Sequence, residues 1–205
     1  MSGILFIISS PSGGGKGTLI REVLRRVPNI GYSISFTTRE PRAGEENGRD
    51  YFFVNRLEFE NLIEQDEFLE HAVVHGNYYG TSRRVVEHEL DSGRDVILEI
   101  DVQGATAVKQ SLPEAVRIFI LPPNFQVLRE RLERRASENP LNLATRLANS
   151  GGEVGRYHEF DYILINDEIE RAATVLAAIF YAERSRTVQM EAAAKAVFET
   201  FPKTN

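Results

Sequence analysis

The chain contains no cysteine. Disulfides and thiolate–zinc sites are therefore excluded, and a reducing compartment, the cytoplasm, is the expected setting. There is no basic excess either: 24 Lys and Arg stand against 30 Asp and Glu, for a formal net charge of -6. A general nucleic-acid binder carries a basic balance, so that class is set aside. Small phosphates stay open as ligands, because a site can be locally basic on an acidic protein. No apolar run approaches membrane-spanning length. No charged segment followed by a long apolar run stands at the start, so no signal peptide is expected. Internal repeats and low-complexity tracts are missing as well. What is there is an ordinary globular composition, 42% hydrophobic and 26% charged over 205 residues. That length suits one domain, or one core with insertions, and buries a real core.

The most informative stretch lies near the start. An apolar, β-branched run over residues 4–8 breaks at Ser9 and Ser10 into Pro11, Ser12, Gly13, Gly14, Gly15, Lys16, Gly17 and Thr18. A helical pattern over residues 19–26 follows. Glycines let consecutive backbone N–H groups converge on an anion, and the helix start adds its positive end. Lys16 supplies a mobile point charge, and a nearby hydroxyl can hold Mg²⁺. The chemistry implied is binding of a nucleoside triphosphate's phosphates. The full phosphate-loop pattern wants Gly at position 10 and Ser or Thr at position 17; here Ser10 and Gly17 stand there, and the hydroxyl is delayed to Thr18. An ordinary glycine-rich βα turn is the alternative reading of this segment taken alone. No register of these glycines fits a dinucleotide-binding turn.

Further along, strands are expected over residues 95–101, 116–121 and 162–165. Helices are expected over 57–65, 85–90, 104–110, 125–135 and 168–184, with an alanine-rich, frayed helix after Arg184. Between residues 32 and 84 short alternating runs (32–36, 51–54, 68–75) suggest a small mixed insertion. The whole reads as an α/β fold, with a central parallel sheet flanked by helices and ligands at the carboxyl ends of the strands. Both the glycine loop and Asp101 fall there.

The loop after Phe36 carries Arg39 and Arg42 around Pro41, then Tyr51. Charged loops are commonly just solvated, yet two arginines beside a stiffening proline can both clamp one phosphate. The paired Tyr78 and Tyr79 between Gly76 and Gly80 read first as packing residues. No His–carboxylate pairing suggests a catalytic base.

Taken together, several motifs resemble those of guanylate kinase. They are Ser35, Thr37, Thr38, Arg39, Pro41, Arg42, Gly44, Glu45, Gly48 and Tyr51; then Glu70; then Gly76 through Thr81; then Asp101, Gln103 and Gly104. The resemblance runs from about residue 4 to about residue 184. It implies a P-loop nucleoside monophosphate kinase fold with core segments 1–32, 85–124 and 156–205, a mixed α+β GMP-binding insertion at 33–84 and a mobile lid at about 125–155. It implies transfer of the γ-phosphoryl group of ATP to GMP, with Mg²⁺ accompanying ATP. By position, Arg39, Arg42, Tyr51 and Tyr79 would hold the GMP phosphate. Glu70, Ser35 and Thr81 would read guanine, with Asp101 nearby. Guanine presents N1–H and a 2-amino group side by side, and a carboxylate accepts both; a site matched in this way discriminates by about 10⁴.

The loop from Ser10 to Thr18 would hold ATP, Thr18 would take the Mg²⁺ or phosphate contact, and Asn166 would lie on the adenine side. Lys16, Arg39, Arg135 and Arg146 would stabilise the transferring group, a solvated helix face being the plain alternative for the lid arginines. Departures from the family pattern gather in the lid. Arg134–Arg135–Ala136 lacks glycines around the arginine, and Gly151, Gly152 and Gly155 fall in an expected helix. Each such glycine costs a helix roughly 0.8–1 kcal/mol against alanine, so a looser lid is expected. The partners expected are ATP and GMP, with no nucleic acid and no membrane; the sequence sets no oligomeric state. Two other readings are a non-catalytic protein-binding module of this fold and a kinase for another phosphorylated acceptor, such as a sugar. Retention of Lys16, Arg39, Arg42, Glu70 and Asp101 argues against the first. The set Ser35, Glu70 and Thr81 argues against the second.

Overall fold

The computed structural model describes residues 2–42, 44–74, 76–134 and 140–202. Strand β1 (Leu5–Ser9) is buried along its whole length, as a continuous apolar strand is when both faces of a parallel sheet are covered. It is the middle member of a five-stranded sheet whose order is Ile30–Tyr32 (β2), Asp95–Glu99 (β7), β1, Val116–Leu121 (β8) and Tyr162–Ile165 (β9). Every pairing in this sheet is parallel. Alternate residues of β1 go to opposite faces. Phe6 and Ile8 pack with Leu19, Ile20 and Val23 of α1 (Lys16–Arg26) and with Leu176 and Phe180 of α7 (Ile169–Arg184). The Phe6 and Phe180 rings stack at 3.9 Å. On the other face, Leu5 and Ile7 pack with Val86 of α3 (Arg83–Asp91) and with Ala105 and Val108 of α4 (Val102–Ser111). This is the α/β sandwich that the strand–helix rhythm implies.

A second sheet of four strands has the order Phe52–Phe53 (β4), Phe36–Thr37 (β3), Asn77–Ser82 (β6) and Phe68–Val74 (β5). Helix α2 (Arg56–Glu64) covers it, started by a reciprocal cap between Asn55 and Glu58. Phe59 of α2 is fully buried and stacks on Phe68 at 4.5 Å. Helices α5 (Phe125–Arg134) and α6 (Pro140–Gly155) follow β8, and α6 runs through Gly151, Gly152 and Gly155. Arg135 lies outside the described residues.

Three expectations change. The run at residues 32–36 is two pieces: β2 ends at Tyr32 on the edge of the main sheet, and β3 starts the second sheet at Phe36. A three-residue strand is too short to show a period. Strand β7 stops at Glu99, two residues before Asp101, because Asp101 is the N-cap of α4; its Oδ1 accepts from the Gly104 N–H at 2.8 Å. The tail after Arg184 is a regular helix, α8 (Thr187–Phe198), none of whose residues is buried.

Candidate active site

The glycine loop leaves β1 in the middle of the sheet and enters α1 at Lys16. Gly13 and Gly15 sit at φ 85° and 92°, backbone that an L side chain rarely adopts. Gly15 is the N-cap of α1 and brings no capping side chain, so the first N–H groups of that helix stay available to an anion. Ser10, standing where glycine is frequent, is buried, and its hydroxyl donates to the Pro11 carbonyl at 2.9 Å. A Cβ on Gly14 would fall 2.7 Å from the Ser10 side chain, so this serine is accommodated by a neighbour without one. The Lys16 ammonium reaches back to the Ser10 carbonyl at 3.4 Å.

Beside the loop opens a cleft of about 230 Å³. Six of the residues singled out from the sequence line it: Lys16, Ser35, Tyr51, Glu70, Tyr79 and Asp101. Thr81 stands behind it, fully buried, with its hydroxyl donating to Glu70 Oε1 at 2.7 Å. Glu70 owes its aim to an irregularity. Phe68 pairs with Ser82 and Glu70 with Thr81, so Leu69 is the extra residue of a β-bulge. The bulge lets Leu69 enter the main core while Glu70, 8% exposed, also turns inward. Burial pushes the Glu70 carboxyl up to about 7; the Thr81 hydrogen bond pulls it down, and the Asp101 charge adds to the rise.

The Arg39 Nη2 lies 2.9 Å from both oxygens of Glu45, and its guanidinium sits 5.3 Å from the Tyr51 ring centroid. A two-oxygen acceptor thus already occupies a guanidinium suited to phosphate. Arg42 is exposed; its backbone N–H donates to Glu45 Oε2 at 2.8 Å, and it does not line the cleft. Arg146 lies on α6. Asn166 is not open to an adenine in this arrangement. It is 3% exposed, its Nδ2 donates to the Gly14 carbonyl at 2.9 Å, and its Oδ1 is buried with no partner.

Several functional groups escaped the sequence reading. Arg131 of α5 donates to the Asn166 carbonyl at 2.8 Å and to the Gly14 carbonyl at 3.5 Å, so it braces the glycine loop together with Asn166. Burial lowers its pKa, and Arg134 lowers it further. Its signal was spacing: Arg131 follows the buried Leu128 by three residues and therefore shares the inward face of α5. Glu153 of α6 accepts from the Ser12 N–H at 3.1 Å, tying that helix to the loop. Glu99 lines the cleft together with Lys16 and Asp101 and accepts from the Tyr32 hydroxyl at 3.2 Å.

For a divalent cation the donors near the loop are all oxygen. Thr18 Oγ1 accepts from Arg21 at 3.3 Å, and Glu99 Oε2 lies 3.9 Å from where a Gly17 Cβ would be. Among the described residues no group of three His, Cys, Asp or Glu could hold a metal. Sparse hard ligands beside a phosphate cradle fit Mg²⁺, which is bound by one or two protein oxygens together with substrate phosphates and water. They do not make an all-protein cage.

The chain is similar to known proteins over nearly its whole length. Residues 2–183 match the family model described as guanylate kinase. A guanylate kinase of Thiobacillus denitrificans is 48% identical over 190 residues, covering 93% of this chain and 88% of that protein. One of Koribacter versatilis is 49% identical over 189 residues, covering 91% and 81%. The crystal structure of guanylate kinase from Anaplasma phagocytophilum superposes with a TM-score of 0.84 at 34% identity, covering 100% of this chain and 98% of that one.

Proposed function

The chain belongs to the guanylate kinase family, and we infer that it transfers the γ-phosphoryl group of ATP to GMP, giving ADP and GDP. The observation that carries the reading is the buried Glu70–Thr81 pair in a cleft that also holds Lys16. A carboxylate fixed at one oxygen and facing the cleft suits the adjacent N1–H and 2-amino donors of guanine. Adenine offers no such pair.

Phosphoryl transfer asks for alignment and charge stabilisation. The nucleophile is a phosphate oxygen of GMP, already anionic near neutral pH because its second pKa is about 6. No general base is needed. The obstacle is the approach of two polyanions. Lys16 and the N–H groups of the glycine loop take the ATP phosphates. Thr18, with Glu99 beside it, would hold the Mg²⁺ that accompanies ATP, which would supply further charge neutralisation. Arg39 and Arg42 take the GMP phosphate, Arg39 leaving Glu45 to do so, while Tyr51 and Tyr79 offer hydroxyls and Ser35 serves the base. Arg135 and Arg146 serve the transferring group from the lid. Asp101 caps α4 and biases Glu70 by charge. The insertion at 33–84 is the GMP-binding unit and the segment at about 125–155 the lid. Closure of that lid excludes water and suppresses ATP hydrolysis. We place the protein in the cytoplasm, which its cysteine-free composition suits; no helix among the described residues is long and apolar enough to cross a membrane.

A coupled assay of ADP release with GMP, AMP, UMP and CMP tests the reading. Turnover with GMP and little with the others is expected; no ADP release with GMP would overturn it.

A further inference from the structure

Gly104 is the third residue of α4, and its N–H is already spoken for by the Asp101 cap. Neither a left-handed backbone nor a turn calls for glycine there; its φ is negative, and alanine is the better helix former. The requirement comes from across the cleft. A Cβ at Gly104 would lie 3.0 Å from Glu70 Oε2, inside the roughly 3.5 Å of comfortable contact. Ile100 also touches this position, with its Cβ and Cδ1 each 3.4 Å from the same point. A methyl group placed there therefore pushes the carboxylate aside by a few tenths of an ångström.

That carboxylate has little room to give way. Its Oε1 is held by Thr81 at 2.7 Å, and its backbone is set by the β5 bulge. Any movement swings Oε2, the oxygen left over for a ligand. Thr81 thus fixes one oxygen by a bond, and Gly104 fixes the other by leaving space.

We infer that Gly104 is a specificity-positioning residue: the missing side chain on the first turn of α4 lets the Glu70 carboxylate settle where it meets the paired N–H donors of a purine with an amino group at position 2. The inference rests on the reading of Glu70 as the base-reading group. Its reach is the acceptor base alone. The ATP half of the site, at the glycine loop, is untouched by it.

The test is Gly104→Ala, with Glu70→Gln and Glu70→Asp made in parallel. Dissociation constants are measured for GMP, for IMP, which keeps N1–H but lacks the 2-amino group, and for ATP. For Gly104→Ala we expect GMP binding about tenfold weaker, a GMP-to-IMP preference reduced by about the same factor, ATP affinity within twofold of the parent, and a melting temperature no lower. A purely structural glycine would instead lose stability and weaken both nucleotides together. The decisive arm is the double variant. Aspartate is one methylene shorter and clears the added methyl, so Gly104→Ala should cost less than twofold in GMP affinity when made on Glu70→Asp. An unchanged GMP-to-IMP preference in Gly104→Ala would overturn the inference, and so would the same tenfold penalty on the Glu70→Asp background, which keeps it decidable if the single variant folds poorly. If Glu70→Gln itself leaves GMP preference intact, the reading of Glu70 falls, and this inference falls with it by a separately visible result.

Discussion

Glu70 should make GMP binding depend on pH in a window where most carboxylates are silent. In the free protein its carboxyl titrates at about 7, chiefly because it is buried. Guanine's N1–H and 2-amino groups are donors, so they need the ionised carboxylate. GMP then binds the deprotonated form, and the apparent dissociation constant rises as 1 + 10^(7−pH) when pH falls. Between pH 8 and pH 6.5 this is a factor of about 4, and between pH 8 and pH 6 about 10. Near pH 7 each GMP bound should release about half a proton, visible by calorimetry in two buffers of different ionisation enthalpy. The phosphate of GMP also titrates, at about 6, so the comparison that isolates Glu70 is Glu70→Gln, in which the dependence between pH 8 and 6.5 should shrink from about fourfold or more to the roughly 1.3-fold that the phosphate alone contributes. A wild-type dissociation constant that is flat from pH 8 to 6.5, or a Glu70→Gln variant with the wild-type slope, would refute the reasoning.

The same carboxyl costs stability in the ligand-free protein. With a folded pKa of about 7 against an ordinary 4.5, the native state keeps a proton that the unfolded chain has lost throughout that interval. Stability is therefore greatest below pH 4.5 as far as this group is concerned, and is lost as pH rises to about 7. The shift sets a ceiling of about 3 kcal/mol. Glu70→Gln at pH 8 keeps the Thr81 bond and loses the charge, but leaves an amide without a partner, at about 1 kcal/mol or more. A net gain of about 1–2 kcal/mol is expected, or about 3–6 °C in melting temperature, together with loss of guanine selection.

Three further outcomes follow from the loop and the lid. Arg131→Ala removes two bonds to the carbonyls of Gly14 and Asn166; steady-state kinetics should show ATP KM raised about tenfold, as expected for roughly 1.4 kcal/mol, with GMP KM unchanged, and equal effects on both would count against a brace on the glycine loop. Lys16→Met should lower kcat at least a hundredfold with a small change in GMP affinity, read by the coupled assay and by GMP titration. Gly151→Ala with Gly152→Ala places methyls where nothing lies within 4 Å, so each should strengthen α6 by about 0.8–1 kcal/mol, seen as slower limited proteolysis of that helix without nucleotide; an unchanged cleavage rate would argue that glycine does not loosen the lid.

What was legible in the sequence, and what was not, divides along a physical line. The glycine loop was legible because its signals are local: a buried strand, a turn needing positive φ at Gly13 and Gly15, and a helix start all fall within about twenty residues. The cleft beside it was legible as a set of residue types, and six of them line one cavity. How Glu70 is aimed was not, because a bulge changes which neighbours face inward without changing any residue, and alternation alone would send Leu69 and Glu70 to opposite sides. Asp101 was legible as a strand-end acid yet serves as a helix cap, since the same carboxylate suits either place and only the end of β7 at Glu99 decides.

The loop-bracing contacts that the sequence reading missed share one property. Arg131 and Asn166 bond backbone carbonyls, and Glu153 a backbone N–H, across 35 to 152 positions of chain. Gly104 meets its partner only by what it lacks. A side chain matched to another side chain leaves two traces in a sequence. One matched to the backbone leaves a single trace, and an empty space leaves a glycine that looks like any other. The bracing of the phosphate loop and the clearance around Glu70 are built almost wholly from the second and third kinds. The chemistry of this site was therefore readable in its residues, while the rigidity that would sharpen it had to be found in the fold.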